Sequence, residues 1–150
     1  MHGNRKPGTF GRALPGVSLR VVDTSTSAPV GVGEIGEIEV AGPNVFSGYW
    51  NRPELNDTEF TVDGFFRTGD VGTIDADGYL TIVGREKDLI ITGGLNVYPK
   101  EIEEAIDSQP GIAASAVIGV PDADFGETVV GVVVASSGAS IDVHALRESL

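Results

Sequence analysis

The sequence contains no cysteine among its 150 residues. A disulfide scaffold, a zinc–thiolate site and a cysteine nucleophile are therefore excluded. It also lacks an apolar run of about 18 residues, the length that predicts a membrane-spanning helix. The N-terminal segment MHGNRKPGTF has no apolar core of the kind that secretory signals carry. We therefore expect a soluble, cytoplasmic protein without a membrane span.

Basic residues are scarce relative to acidic ones. The chain has 10 Lys and Arg against 22 Asp and Glu, for a formal net charge of −12. Such a surface repels polyanions, so we expect no nucleic-acid partner and no binding to anionic membranes. Hydrophobic residues make up 41% of the chain, which is typical of a folded globular protein.

Several common catalytic and metal-binding patterns are also missing. The two histidines, His2 and His144, have no metal-ligand partner at helical spacing, so we assign both to the surface and predict no metal site. Neither a GxxxxGK[ST] loop nor a GxSxG elbow occurs. The chain therefore holds no complete P-loop and no serine-hydrolase elbow.

The first half of the chain reads as short strands joined by turns. Alternating apolar residues predict strands at residues 17–23 and 35–40, with Glu37 and Glu39 facing solvent. A helix beginning with proline is predicted at 53–60. Two β-rich segments on either side of the sequence DADG predict a hairpin whose glycine has a positive φ.

The second half mixes helices with apolar strands. We predict a strand at 89–91, an amphipathic helix at 99–106 whose Glu103 points away from the core, and a final helix after Ser140. The runs at 116–120 and 129–135 read as strands buried on both faces. The fold class is therefore α+β, with a barrel-like β-rich subdomain at 1–84, a connection at 85–88 and a truncated α+β domain at 89–150.

Three short motifs could carry chemistry. They are RTGD at 67–70, GREKD at 84–88 and TGGLNVYP at 92–99. The Asp70 carboxylate could accept hydrogen bonds from two adjacent hydroxyls, and the Arg85 guanidinium suits phosphate or ribose oxygens. Taken alone, the first two motifs favour a structural reading, as an Asx-type turn and as an exposed charged turn. The third motif is as well explained by a helix-entry loop.

The three motifs occur together, in order, within four longer strings: GEIEVAGPNVFSGYW, DGFFRTGDVG, DADGYLTIVGREKDLIITGG and NVYPKEIEEAI. This combination resembles the adenylate-forming superfamily of AMP-binding enzymes, which includes the acyl-CoA synthetases. Within it, NVFSGYW, ITGGLNVYPKEIE and VIGVPDADFGETVVGVVV resemble malonyl-CoA synthetases and related ligases of short- and medium-chain acids.

The resemblance implies roles for five residues. Asp70 and Arg85 would bind the ribose of ATP or AMP. Lys87 would be the hinge about which the C-terminal domain rotates between the two half-reactions. Gly93 and Gly94 would line the route of the pantetheine arm of CoA.

The resemblance also implies the substrates: a small carboxylic acid, ATP and CoA, with Mg²⁺ bound mainly by ATP and upstream residues. The acid first forms an acyl-adenylate and pyrophosphate, and CoA then displaces AMP. The phosphate-binding loop of the family lies upstream and its adenylation lysine downstream, so we assign no catalytic residue here. We expect a C-terminal fragment that lacks its N-terminal domain and by itself completes neither half-reaction.

Two other functions stay open at this point. The same motifs would serve a carrier-protein-dependent adenylation module, which an adjoining thiolation sequence would identify. A non-catalytic β-rich interaction module would use the same turns structurally, and it would not bind AMP.

Overall fold

The computed structural model describes residues 5–150, so the predicted surface position of His2 lies outside the described residues. The chain divides into two compact units, the first ending at Glu86 and the second running from Lys87 to Leu150. Each unit has its own antiparallel four-stranded sheet. The predicted α+β class is therefore confirmed.

The first unit is built on strands paired in chain order. They are β1 (Ser18–Val22), β2 (Gly36–Ala41), β3 (Phe66–Ile74) and β4 (Leu80–Arg85). Helix α1 (Pro53–Glu59) lies between β2 and β3 in the chain and has proline in its first turn, as predicted. Strands β1 and β4 are the two edges, so within the described residues this sheet is open and does not close into a barrel.

The β3–β4 hairpin forms around the predicted turn. Gly78 has a φ of 82°, a conformation that glycine adopts without strain. The Asp75 carboxylate accepts hydrogen bonds from the backbone N–H groups of Asp77 and Tyr79, each at 2.9 Å. These Asx-type bonds fix the turn and with it the register of the strand residues next to it, from Gly72 to Ile82.

The predicted solvent exposure of Glu37 and Glu39 is wrong. Glu37 is only 3% exposed and Glu39 is 0% exposed. Arg20 on β1 and Arg67 on β3 flank them: Arg20 Nε lies 2.6 Å from Glu39 Oε2, and Arg67 Nη1 lies 3.2 Å from Glu37 Oε2. Alternation along β2 identified two faces, but buried carboxylates are stable only where cations meet them, and those cations come from other strands.

Arg20 connects the buried carboxylate of Glu39 to an exposed one, Asp63. Its two Nη atoms donate to both carboxylate oxygens of Asp63, at 2.6 and 3.1 Å, and its guanidinium lies 3.9 Å from the centre of the Phe65 ring. The hydrogen bonds from Arg20 are the main reason that the pKa of Asp63 is lowered to about 2. One arginine thus joins β1, β2 and the loop that precedes β3.

The second unit has a sheet in the order β6-β5-β8-β7. Its elements are β5 (Ile90–Thr92), β6 (Leu95–Val97), α2 (Pro99–Asp107), β7 (Ile112–Asp122), β8 (Gly126–Ala135) and α3 (Val143–Glu148). The core centres on Ile90, Ile106 and Val117, against which Leu146 of α3 also packs. Helices α2 and α3 therefore contribute to the same core.

The expectation that β7 and β8 are buried on both faces is wrong. Val117 is buried, but on the opposite face Ile118, Val132 and Val134 are 49%, 52% and 56% exposed. The core lies on only one side of this antiparallel pair. A continuous apolar run resembles a strand of a doubly covered sheet, although the run alone does not say whether a second layer is present.

The predicted outward direction of Glu103 is also wrong. Its carboxylate accepts a hydrogen bond from the backbone N–H of Val117 at 2.9 Å. Strand β7 is an edge strand, and edge strands carry unpaired backbone groups. Glu103 therefore satisfies one donor of that edge from α2. Within residues 5–150, no helix has both the length and the hydropathy to span a membrane.

We predict that Arg20→Met destabilises the first unit by about 3 kcal/mol, because Glu39 would keep a buried charge without its closest partner. The matched control is Arg52→Met, which breaks the exposed ion pair with Glu54 and should cost far less, because water and salt screen an exposed pair. Native-state hydrogen exchange of the amides of β1 to β3 measures both. Equal, small losses in the two variants would contradict the buried network.

Candidate functional site

Asp70 lies within an irregular part of β3. Glu39 of β2 pairs with Arg67, and Glu37 pairs with Val71, so two steps along β2 correspond to four along β3. The additional residues form a bulge that includes Gly69, whose φ is 67°. The bulge sets the direction of the Asp70 side chain, which contacts Arg85 and is 25% exposed.

Arg85 ends β4 directly opposite Asp70 in the antiparallel register. Arg85 Nε lies 2.8 Å from Asp70 Oδ1, and the side chain of Arg85 is 54% exposed. Within the described residues, Oδ2 of Asp70 and the two terminal nitrogens of Arg85 form no other ion pair or hydrogen bond. The pair therefore presents both an acceptor and several donors to a ligand with hydroxyl groups.

A residue missed in the sequence analysis shapes this bulge. The hydroxyl of Thr68 donates to the carbonyl oxygen of Ile38 at 2.8 Å and accepts from the backbone N–H of Asp70 at 3.1 Å. The available signal was a threonine two residues before an aspartate, the spacing of an ST-turn.

A buried carboxylate lies near these residues on β2. Burial raises the pKa of Glu37, the negative charge of Glu86 raises it further, and Arg67 opposes both effects. Arg67, which pairs with Glu37, immediately precedes Thr68 in the chain. The ion pair between Glu37 and Arg67 therefore lies next to the bulge of β3.

Lys87 lies in a short 3₁₀ helix, Glu86–Asp88, and is the first residue of the second unit. All four residues from Arg85 to Asp88 are exposed. A segment with few packing contacts is suited to bending. The hinge role of Lys87 stays a prediction.

Gly93 and Gly94 form the two-residue connection between β5 and β6. Their φ values are 56° and 81°, the pair of positive values that a type I′ turn requires. The N–H of Gly93 donates to the carbonyl oxygen of Phe125 at 2.9 Å, and a Cβ on Gly93 would lie 3.3 Å from Cδ1 of Phe125. A Cβ on Gly94 would meet no atom within 4 Å. The positive φ values alone therefore explain why both positions are occupied by glycine.

The structure thus brings Asp70 and Arg85 together in the first unit and places Gly93 and Gly94 at a turn of the second. Among residues 5–150, no group of three or more His, Cys, Asp or Glu side chains could hold a metal ion. His144 is exposed, and its Nδ1 lies 3.8 Å from Glu148 Oε1.

Comparison with protein families adds a second line of observation to this geometry. Residues 1–50 match the family described as AMP-binding enzyme, and residues 101–150 match the AMP-binding enzyme C-terminal domain. The chain belongs to the adenylate-forming superfamily of AMP-binding enzymes.

Individual relatives agree with this assignment. The chain is 59% identical to ATP-bound MatB from Rhodopseudomonas palustris, with a TM-score of 0.93 over 98% of this chain and 29% of that one. A feruloyl-CoA synthase from an Amycolatopsis species is 54% identical over 76% of this chain and 23% of its own length. A malonate–CoA ligase from Arabidopsis thaliana is 39% identical over 93% and 22%. The chain therefore spans about a quarter of the length of these relatives.

We predict that the first unit loses stability as the pH rises from 4.5, the ordinary pKa of glutamate, through the raised pKa of Glu37. The folded state binds that proton more tightly than the unfolded state, so its contribution is complete at low pH and is lost on deprotonation. Glu37→Gln should flatten the pH dependence of urea unfolding in this range. Glu59→Gln is the control, and equal slopes in the two variants would contradict the prediction.

Proposed function

We propose that this chain is part of an AMP-forming acyl-CoA ligase, in which it binds the nucleotide ribose and begins the mobile C-terminal domain. The complete enzyme would join a small carboxylic acid to ATP, releasing pyrophosphate and forming an acyl-adenylate. The thiol of CoA would then displace AMP and give the acyl-CoA thioester. The 150-residue chain alone would complete neither step.

The observation that carries this proposal is the pairing of Asp70 and Arg85 at 2.8 Å. The 2′- and 3′-hydroxyls of a ribose are adjacent and can each donate and accept a hydrogen bond. The partner-free carboxylate oxygen of Asp70 can accept from them, and the terminal nitrogens of Arg85 can donate to them. A ribose therefore fits the donor set of this pair, and both side chains would orient the nucleotide by its sugar.

The described residues contain no group of three or more His, Cys, Asp or Glu side chains that could hold a magnesium ion by themselves. Mg²⁺ prefers phosphate oxygens and one or two carboxylates. We place it on the phosphates of ATP and on residues outside this chain, and no step here depends on it.

The second half-reaction would use the segment after Arg85. Rotation of the C-terminal domain about Lys87 would turn a different surface of that domain toward the nucleotide. Gly93 and Gly94, which carry no side chains, would then allow the pantetheine arm to pass close to the backbone.

We favour malonate as the acid, in line with the resemblance of three sequence segments to malonyl-CoA synthetases and with the name of the Arabidopsis relative. Relatives named for ferulate and for malonate share this segment at 54% and 39% identity. Two acids so different in size and charge imply that acid selection depends on residues elsewhere in the enzyme.

We predict that Asp70→Ala in the longer ligase lowers kcat/KM for ATP by roughly 10- to 150-fold. This corresponds to the loss of charge-assisted hydrogen bonds worth about 1.5–3 kcal/mol. ATP–pyrophosphate exchange with malonate measures it.

The matched control is Asp77→Ala, which removes an exposed carboxylate from the turn of the same hairpin. It should leave the exchange rate unchanged. The 150-residue chain itself should show no exchange with malonate or short fatty acids. Normal ATP kinetics in Asp70→Ala, or turnover by the isolated chain, would contradict the proposal.

We also predict that Lys87→Pro slows thioester formation more than adenylation. Proline fixes φ near −65° and so restricts rotation at this residue. Lys87→Ala retains backbone freedom and should spare both steps. Adenylate formation and CoA transfer are followed separately in single-turnover assays, and an equal loss in both steps for Lys87→Pro would be evidence against a hinge.

A further inference from the structure

We propose that Thr68 is a positioning residue, whose hydroxyl holds the bulge of β3 so that the carboxylate of Asp70 faces the ribose. This inference rests on the proposed function, because it assigns to Thr68 the support of the ribose-binding aspartate. It concerns a residue that touches no substrate in that proposal.

The bulge interrupts the pairing of β2 with β3. Glu37 and Glu39 each have a partner on β3, but Ile38 between them has none. Ile38 is 3% exposed, so its carbonyl oxygen cannot rely on water. The hydroxyl of Thr68 donates to that oxygen at 2.8 Å and so adds a side-chain hydrogen bond between β3 and β2 at the bulge.

The same hydroxyl takes part in a second hydrogen bond. Thr68 Oγ1 accepts from the backbone N–H of Asp70 at 3.1 Å. A hydroxyl has one proton to donate, and the carbonyl of Ile38 takes it, so the lone pairs face the Asp70 amide. One oxygen atom therefore connects β2 to the backbone of Asp70 across the glycine at 69.

Thr68 and Arg85 contact Asp70 in different ways. Arg85 also contacts Asp70, but its side chain is 54% exposed, and exposed ion pairs are weakened by water and salt. Thr68 is half-buried and bonds to backbone atoms of an internal strand. The backbone position of Asp70 therefore depends on Thr68 more than on Arg85, and Arg85 remains available to the ligand.

The test compares Thr68→Val, which has the same shape without the hydroxyl, with Thr68→Ser, which retains it. In the longer ligase, Thr68→Val should raise KM for ATP about 3- to 10-fold, the loss of one or two hydrogen bonds. KM for the carboxylic acid should stay constant, and Thr68→Ser should restore KM for ATP to within about twofold. Thr73→Val on the same strand removes a hydroxyl outside the bulge and should change neither constant.

A direct measurement accompanies the kinetics. Hydrogen exchange at the Asp70 amide should be slow in the unmutated protein and in Thr68→Ser, and fast in Thr68→Val. Fast exchange in the unmutated protein would overturn the inference without any variant, even where Thr68→Val fails to fold. Equal KM values for ATP in the valine and serine variants would also overturn it.

The two possible failures can be told apart. A normal KM for ATP in Asp70→Ala would remove the ribose role and with it the proposed function. A raised KM in Asp70→Ala together with a normal KM in a folded Thr68→Val would leave the ribose role intact and reject only the anchor.

Discussion

The register of β3 against β4 is the constraint on which the candidate site depends. Asp70 and Arg85 are fifteen positions apart in the sequence. The turn at residues 75–78 sets the pairing of the two strands as far as Gly72 and Ile82, and a one-residue irregularity beyond that point brings Asp70 opposite Arg85. A slip of one residue would send Asp70 to the other face of the sheet. The chemistry of the site thus depends on backbone hydrogen bonds in a turn several residues away.

Strand β2 pairs with β3 of that hairpin, and it carries two buried charged side chains where buried strands usually carry hydrophobic ones. Glu37 and Glu39 are buried and are held by arginines of the strands on either side. Such pairs add little net stability, because desolvation offsets much of their attraction. They do penalise any alternative register, since a shifted strand would leave a buried carboxylate without a cation. The same strand supplies the carbonyl that Thr68 contacts, so β2 restrains both ends of the bulge.

In the second unit, the predicted functional positions are two glycines in a tight turn. A carboxylate from α2 accepts one backbone N–H of its edge strand β7. One face of its β7–β8 pair is apolar and exposed. The glycine turn suits the proposed domain rotation. Its backbone can approach a ligand closely, because no side chain has to move out of the way.

Local features were predictable because they depend on residues close together in the chain. The DADG turn, the prolines at the starts of α1 and α2, and the acceptor and donor groups of Asp70 and Arg85 needed only the sequence. The burial of Glu37, the open face of β8 and the bridge made by Thr68 did not follow from it. Alternation shows that a strand has two faces, whereas pairing between distant segments decides which face is covered and which carboxylate meets which guanidinium. Only the tertiary structure, which brings those segments together, could decide these points.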